Sequence, residues 1–134
     1  MRYMLDTNIC IYIIRRKPID VRAKFEQYSI TDFALSTITL AELEYGVEKS
    51  SAKATNRHAL DLFLIPLTIL DFDEAAGKQY GGIRTALEMT GLPIGAMDLL
   101  IAAHALSLQL TLVTNNAREF RRVPGLMVEE WFSP

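Results

Sequence analysis

Cysteine, histidine and tryptophan are scarce in this chain of 134 residues, which holds one Cys, two His and one Trp. The single thiol, Cys10, has no partner for an internal disulfide; a stapled scaffold is excluded and a reducing, cytoplasmic setting is expected. Cys10, His58 and His104 stand at no metal-ligand spacing, so zinc is not expected either. His104, on an apolar stretch, reads as a satisfied core histidine and Cys10 as a small core residue. No apolar run approaches the roughly 18–20 residues of a membrane span, so no membrane association is expected. Asp6 interrupts the apolar start too early for a signal peptide. Phosphate-cradling loops of the GxxxxGK[ST] or GxGxxG kind are missing, and Gly81-Gly82 falls inside a helical stretch instead of after a strand. Charge of one sign is lacking too. Fourteen Lys and Arg oppose 16 Asp and Glu for a net −2, which at first sight argues against a nucleic-acid partner.

What is present is an ordinary globular balance, 50% hydrophobic and 22% charged, sufficient for one domain over residues 1–134 with no repeat or linker. Short apolar runs at Arg2–Leu5, Phe33–Ser36, Leu67–Asp71, Thr111–Thr114 and Leu126–Val128 predict strands. Helical stretches separate them. One runs through Ile9–Ile14 and ends before Pro18, and an amphipathic one covers Ile19–Tyr28. A third, capped by Thr37 or Thr39, extends through Leu40, Leu43 and Val47. Ala52–Leu64 follows, then a long stretch opened by Asp73 and closed near Thr90 by Gly91 and Pro93. Asp98 heads the last, an apolar helix over Leu99–Leu106. Continuously apolar strands alternating with helices predict an α/β fold with a mostly parallel sheet, whose ligands bind beyond the carboxyl ends of the strands.

Four acids near those ends stand in unusual places. Asp6 follows a buried strand. Either Asp6 or Thr7 caps the next helix, or Asp6 is a metal ligand whose carboxylate Asn8 orients. Glu42 has apolar neighbours on both sides; it is an exposed helix position or it faces a site, and Glu44, about 200° away around the helix, cannot share that face. Asp98 lies where a loop enters an apolar helix, as a cap or as a charge deep in the fold that needs partners. Glu119, after Thr114-Asn115-Asn116, is a surface acid beside Arg118 and Arg121 or a fourth member of the group. Carboxylates converging in a cleft raise one another's pKa, and a hard cation relieves that penalty. An all-oxygen set selects Mg²⁺ or Mn²⁺, the usual apparatus of phosphoryl chemistry.

Met4-Leu5-Asp6-Thr7-Asn8, Glu42, Asp98 at a helix start, and Thr114-Asn115-Asn116 with Glu119-Phe120, in that order along the chain, resemble a PIN domain and more narrowly the VapC toxins of bacterial toxin–antitoxin pairs. The resemblance implies a three-layer α/β/α fold and a Mg²⁺-dependent endoribonuclease, with Mn²⁺ able to substitute. It further implies a homodimer held inactive by a VapB-type antitoxin, with DNA reached only through that complex. Structured RNA is the implied substrate, tRNA in several members and initiator tRNA in enteric-type ones, so that cleavage inhibits translation. Asp6, Glu42 and Asp98 match the three central acids, and Asn8 and Thr114 the polar residues that orient them. Where the family often has Asp, this chain has Asn116, with Glu119 three residues on as a candidate replacement. On this basis Asp6 and Asp98 bind the metal, and Glu42 with Glu119 or Asn116 holds the attacking water.

Positive charge for RNA is offered by Arg15, Arg16 and Lys17 and by Arg118, Arg121 and Arg122, which are equally readable as solvated helix ends. Tyr80 and Trp131 either stack on bases or pack. The apolar surplus around Ile38, Leu40, Leu43, Tyr45, Val47, Leu62, Phe63 and Leu64 suits a dimer surface, an antitoxin groove or the core. Two other classes compete: an aspartyl-phosphate phosphatase, which usually has a second Asp where Asn8 stands, and a non-catalytic RNA- or protein-binding module. Setting the four acids aside as one site leaves 14 basic residues against 12 acidic ones, so the net charge no longer speaks against RNA.

Overall fold

Each strand of the protein is a short apolar run that leads within a few residues into a helix or a turn. The computed structural model describes residues 1–132. The elements are β1 (Tyr3–Leu5), α1 (Thr7–Arg15), α2 (Ile19–Glu26), β2 (Phe33–Ser36), α3 (Thr37–Glu48), α4 (Lys53–Leu64), β3 (Thr68–Leu70), α5 (Glu74–Met89), α6 (Ala96–Ser107), β4 (Thr111–Thr114), α7 (Ala117–Phe120) and β5 (Val128–Glu130). The five strands form one sheet in the order β3-β2-β1-β4-β5, and every pairing is parallel. The expected α/β class is therefore correct, and the sheet is wholly instead of mostly parallel. No helix among the described residues is long and apolar enough to cross a membrane.

Strand order reverses between β1 and β4, which lie side by side although α1 to α6 intervene in the chain. In sheets of this kind the crevice outside that reversal is where ligands bind. Successive strand side chains point to opposite faces, so both faces are covered. Tyr3, Leu5, Phe33, Leu35 and Val113 pack against Ile9, Ile13, Leu43, Val47 and Leu60 from α1, α3 and α4. Met4, Ala34 and Leu112 pack against Ile83 and Leu87 of α5, Leu99, Ile101, Ala102 and Ala105 of α6, and Phe120 of α7. The result is a helix–sheet–helix sandwich with β1 in the middle.

Several boundaries differ from the sequence expectation for local reasons. The cap of α3 is Ser36, whose side chain accepts from the Ile38 N–H; neither Thr37 nor Thr39 takes that role. Helix α6 begins at Ala96 after Gly95, so Asp98 sits inside its first turn and is not its cap. The last strand is Val128–Glu130, displaced toward the carboxyl end because Gly125, at φ +81°, turns the chain first. Asp73 caps α5 as expected, accepting from the Ala76 N–H, and Gly91 at φ +71° follows that helix.

Aromatic rings gather at the starts of β1 and β2. Tyr3 stacks on Phe33, Tyr28 stacks on Trp131 at 5.8 Å, and Phe25 leans on Phe33. Arg2 lies over the Tyr3 ring. Trp131 is 7% exposed and its indole N–H donates to Glu129, so it packs and offers no face to a base. Tyr80 is half-buried and its hydroxyl accepts from Arg84. Trp131 follows the final strand and returns to the first, closing the chain on itself. Trp131→Ala is expected to lower the unfolding free energy by about 3 kcal/mol, measured by urea denaturation.

Candidate active site

Asp6 occupies the junction between β1 and α1, and both of its roles come from that position. Its backbone N–H donates to Val113 of β4, which holds it in register with the sheet. Its Oδ1 accepts from the Ile9 N–H at 2.9 Å and so caps α1. The side chain is 5% exposed and receives a second hydrogen bond from the Thr114 hydroxyl at the end of β4. Burial dominates its titration and pushes the carboxyl up to about 6. The hydrogen bonds from Thr114 and Ile9 oppose that shift, while the negative charges of Asp98 and Glu42 add to it.

Thr7, the first residue of α1, donates its hydroxyl to Glu42 Oε1 across 35 residues of sequence, joining α1 to α3. Asp98, half-buried in the first turn of α6, is held above the usual carboxylate range by burial and then by Glu42 and Glu119. Four acids from β1–α1, α3, α6 and α7 thus act on one another at the carboxyl end of the sheet. None of the ion pairs among the described residues reaches any of them; those pairs lie on outer helix surfaces, chiefly around Arg57 between α3 and α4. Hydrogen bonds from Thr7 and the Ile9 amide reach Glu42 and Asp6.

The remaining candidates fall as follows. Asn8 is exposed, and the orienting of Asp6 is done by Thr114 and the Ile9 amide. Asn116 precedes α7 without a side-chain cap bond, and its N–H donates to Thr114 Oγ1. Asn115 links β4 to α1 by donating to the Tyr12 hydroxyl at 2.9 Å, which leaves its Oδ1 buried and unpartnered. Thr39 Oγ1, on α3, is likewise buried without a partner. Sequence reasoning assigned no role to Tyr12 and offered Thr39 only as a helix cap; the usable signal was an Asn directly after a buried strand. Arg15, Arg16, Lys17, Arg118 and Arg121 are exposed, while Arg122 is half-buried and reaches the Pro93 carbonyl in the loop before α6. Cys10 is fully buried, with burial and then the charge of Asp6 pushing its thiol well up, as suits a core residue.

A hard divalent cation fits this donor set in one particular way. Among the described residues no three His, Cys, Asp or Glu side chains stand close enough to form a ready-made ligand cluster. The available donors are oxygens, with Asp6 and Asp98 as the carboxylates whose ionisation the fold disfavours most. Two carboxylates and several retained waters are the usual coordination of Mg²⁺, whereas zinc would require nitrogen or sulfur that the site lacks.

From the acids an apolar groove of about 460 Å³ runs between α1, α3 and α4. Thr7 and Glu42 form its inner end, Ile11, Leu43 and Leu60 line it, and Arg15 and Lys49 stand on its edges. Tyr45 is 65% exposed at this groove with the Lys49 ammonium 4.9 Å from its ring centre. The apolar surplus of α3 and α4 is therefore divided between the core, through Leu43 and Val47, and a surface, through Tyr45 and Leu62.

Comparison with known proteins agrees with this geometry. The family model described as PIN domain matches residues 3–126. A ribonuclease VapC2 from Rickettsia felis is 49% identical, and a tRNA(fMet)-specific endonuclease VapC from Shigella flexneri is 44% identical; each alignment covers 98% of this chain and 98% of the relative. The crystal structure of VapBC2 from Rickettsia felis bound to a promoter DNA fragment superposes with a TM-score of 0.92 at 48% identity, covering 98% of this chain and 100% of the other. With a parallel sheet in the order 3-2-1-4-5 and its acids at the strand reversal, the chain belongs to the PIN-domain family and, within it, to the VapC ribonucleases.

Proposed function

We propose that this protein is the toxin of a toxin–antitoxin pair and hydrolyses phosphodiester bonds of structured RNA with Mg²⁺, or Mn²⁺ in its place, held by Asp6 and Asp98. The carboxylates supply the decisive observation: Asp6 is almost fully buried, its ionisation is opposed by burial and by Asp98 and Glu42, and no cationic side chain offsets it. A fold keeps such a group when something outside the chain completes it. When bound, the ion stabilises the charge that grows on the scissile phosphate and eases the deprotonation of water. Glu42, steadied by the Thr7 hydroxyl, accepts the proton of the attacking water. Glu119 or Asn116 orients that water from the far side. Water adds to phosphorus, the bond to the 3′ oxygen breaks, and that oxygen takes a proton from solvent, so the products carry 5′-phosphate and 3′-hydroxyl ends.

The substrate is taken as tRNA, with initiator tRNA favoured by 44% identity to a relative named as a tRNA(fMet)-specific endonuclease. Cleavage of that RNA in the cytoplasm inhibits translation. Exposed Arg15, Arg16, Lys17, Arg118 and Arg121 supply phosphate contacts around an acidic centre, and Arg122 adds to them from the loop before α6. The partner is a VapB-type antitoxin, since solved relatives are VapBC complexes and the groove beginning at Thr7 and Glu42 would lead an apolar segment across the acids. DNA contact then belongs to the assembled pair, and the toxin is taken as a homodimer.

Four measurements check this. Total RNA or purified tRNA incubated with the protein should be cut with Mg²⁺ and left whole with EDTA, and end mapping should find 5′-phosphates. RNA binding without cleavage, indifferent to EDTA, would instead indicate a binding module, and phosphate transfer to Asp6 from a small donor a phosphatase. Asp98→Asn should lower cleavage by on the order of 100-fold or more while leaving the thermal transition cooperative. Asp6 holds its proton more tightly in the fold than in the unfolded chain, so the metal-free fold loses stability as pH rises from about 4 to about 6. Asp6→Asn, which keeps an oxygen for the Ile9 cap, should therefore stabilise the metal-free protein near neutral pH by about 3 kcal/mol and remove the Asp6 part of that pH slope, leaving the part due to Asp98. In the unsubstituted protein, Mn²⁺ should raise Tm more at about pH 7.5 than at about pH 5, because the ion competes with the proton.

A further inference from the structure

A fully buried side-chain hydrogen bond joins two residues, Ser36 and His104, that the proposed chemistry does not use. Ser36 and His104 are 0% and 1% exposed, and Ser36 Oγ stands 2.8 Å from His104 Nδ1 across 68 residues of sequence. The same Oγ accepts the Ile38 N–H at 3.0 Å, so the oxygen that caps α3 is also fastened to α6. Next to it, Thr37 Oγ1 accepts the Phe72 N–H at 3.1 Å. The Phe72 ring then meets the His104 imidazole edge to face at 5.5 Å. Ser36, Thr37, Phe72 and His104 thus close a ring of contacts around the first turn of α3.

Both helices leave that ring toward an acid. Glu42 lies six residues beyond Ser36 on α3, and Asp98 lies six residues before His104 on α6. At helical rise each acid is roughly 9 Å along its axis from the Ser36–His104 bond. The acids at the far ends act on one another, since the Glu42 charge raises the Asp98 carboxyl. One fixed point and two nearly equal arms determine how α3 and α6 are set at the acid end. We propose that the Ser36–His104 pair is a positioning device that sets the register of α3 against α6 and thereby the approach of Glu42 to Asp98, given the reading of those acids as parts of the metal-dependent site.

The chemistry of the pair suits that task. Burial lowers the imidazole pKa against the opposing charges of Asp73 and Asp71, so His104 is neutral and adds no cation that would compete for the acids. A leucine of similar size would fill the volume but would leave the two helices free to slide by fractions of an ångström. A hydrogen bond between buried groups tolerates no such slip, because an unpaired polar atom there is costly. Misplacement of a reacting group by about 1 Å costs roughly 100-fold in rate.

The test uses the full chain with Ser36→Ala, His104→Leu and the double variant, alongside the conservative Ser36→Thr and His104→Asn. Steady-state RNA cleavage separates kcat from KM, and Mn²⁺ titrated onto the protein without RNA gives a second readout independent of turnover. The expected result is a fall in kcat of roughly 10- to 100-fold with KM for RNA within about twofold, and Mn²⁺ affinity weakened by about 10-fold. The double variant should be no worse than the poorer single one, since both remove the same bond. Ser36→Thr, which keeps the hydroxyl, should recover most of the loss. Should His104→Leu not fold, Ser36→Ala, which removes the bond, and Ser36→Thr, which keeps it, carry the comparison. The positioning role is overturned if kcat per folded molecule and Mn²⁺ affinity both stay at the level of the unsubstituted protein while only Tm falls, or if the losses of the two single variants add. If the unsubstituted protein cuts no RNA, the functional reading fails by itself, and the Mn²⁺ titration alone decides the role of Ser36 and His104.

Discussion

A carboxylate buried where strand β1 turns into helix α1 is the constraint around which the rest of the site is arranged. Asp6 must be an acceptor for the α1 amides, because the first turn of a helix leaves N–H groups that need oxygen. It must also lie at the end of the middle strand of a parallel sheet, where nearly all solvent is excluded. Capping and burial are compatible for a neutral oxygen and in conflict for a charged one. The conflict is heightened by Asp98 and Glu42 and eased by Thr114 and the Ile9 amide, and the balance falls on the side of the proton. This imbalance, in a centre whose donors are all oxygens, is the reason for proposing a small divalent cation there.

The topology supplies the second half of that arrangement. Because β1 is central and the order reverses beside it, helices from both layers begin or pass at the same end of the sheet. One layer provides Thr7 and Glu42, and the other provides Asp98 and Glu119. The acids come from four separate elements, so their spacing depends on how the layers are held together. Few polar side-chain links join the elements around the site: Thr7 to Glu42 within one layer, Asn115 at the end of β4 to Tyr12 of α1, and Ser36 to His104 across the sheet. Each ends within a few residues of a member of the site.

Much of this was legible in the sequence. Five apolar runs separated by helical periodicity gave the element order and the parallel class, since strands covered on both faces leave no alternation. Asp6 as a cap, Cys10 and His104 as core residues, and Asp73 as the start of α5 followed from nearest neighbours alone. Elements that depended on distant partners were harder. Ser36 was hidden as a cap because it is also the last residue of a strand, and only the fold brings His104 to it. Asp98 was placed at the helix start because the apolar run begins after it, whereas the backbone turns helical at Ala96 with no apolar residue required. The edge strand β5 carries Glu129 and Glu130, so its ladder with β4 left little apolar signal. Asn8 lay at a plausible spacing from Asp6, but helix α1 turns it outward.

The aromatic cluster sits at the starts of β1 and β2, while the acids sit beyond the strand ends. Much of the chain's closure, including the return of Trp131 to the first strand, is thus concentrated away from the acids. Substitutions of Tyr45 and Lys49 at the groove's edge and of the basic rim draw little on that reserve, whereas Leu43 and Leu60 on its floor belong to the core. Such a molecule can drift in what it recognises while its folding remains secure. Selection on the exposed rim can therefore act on a set of residues largely different from those that close the chain.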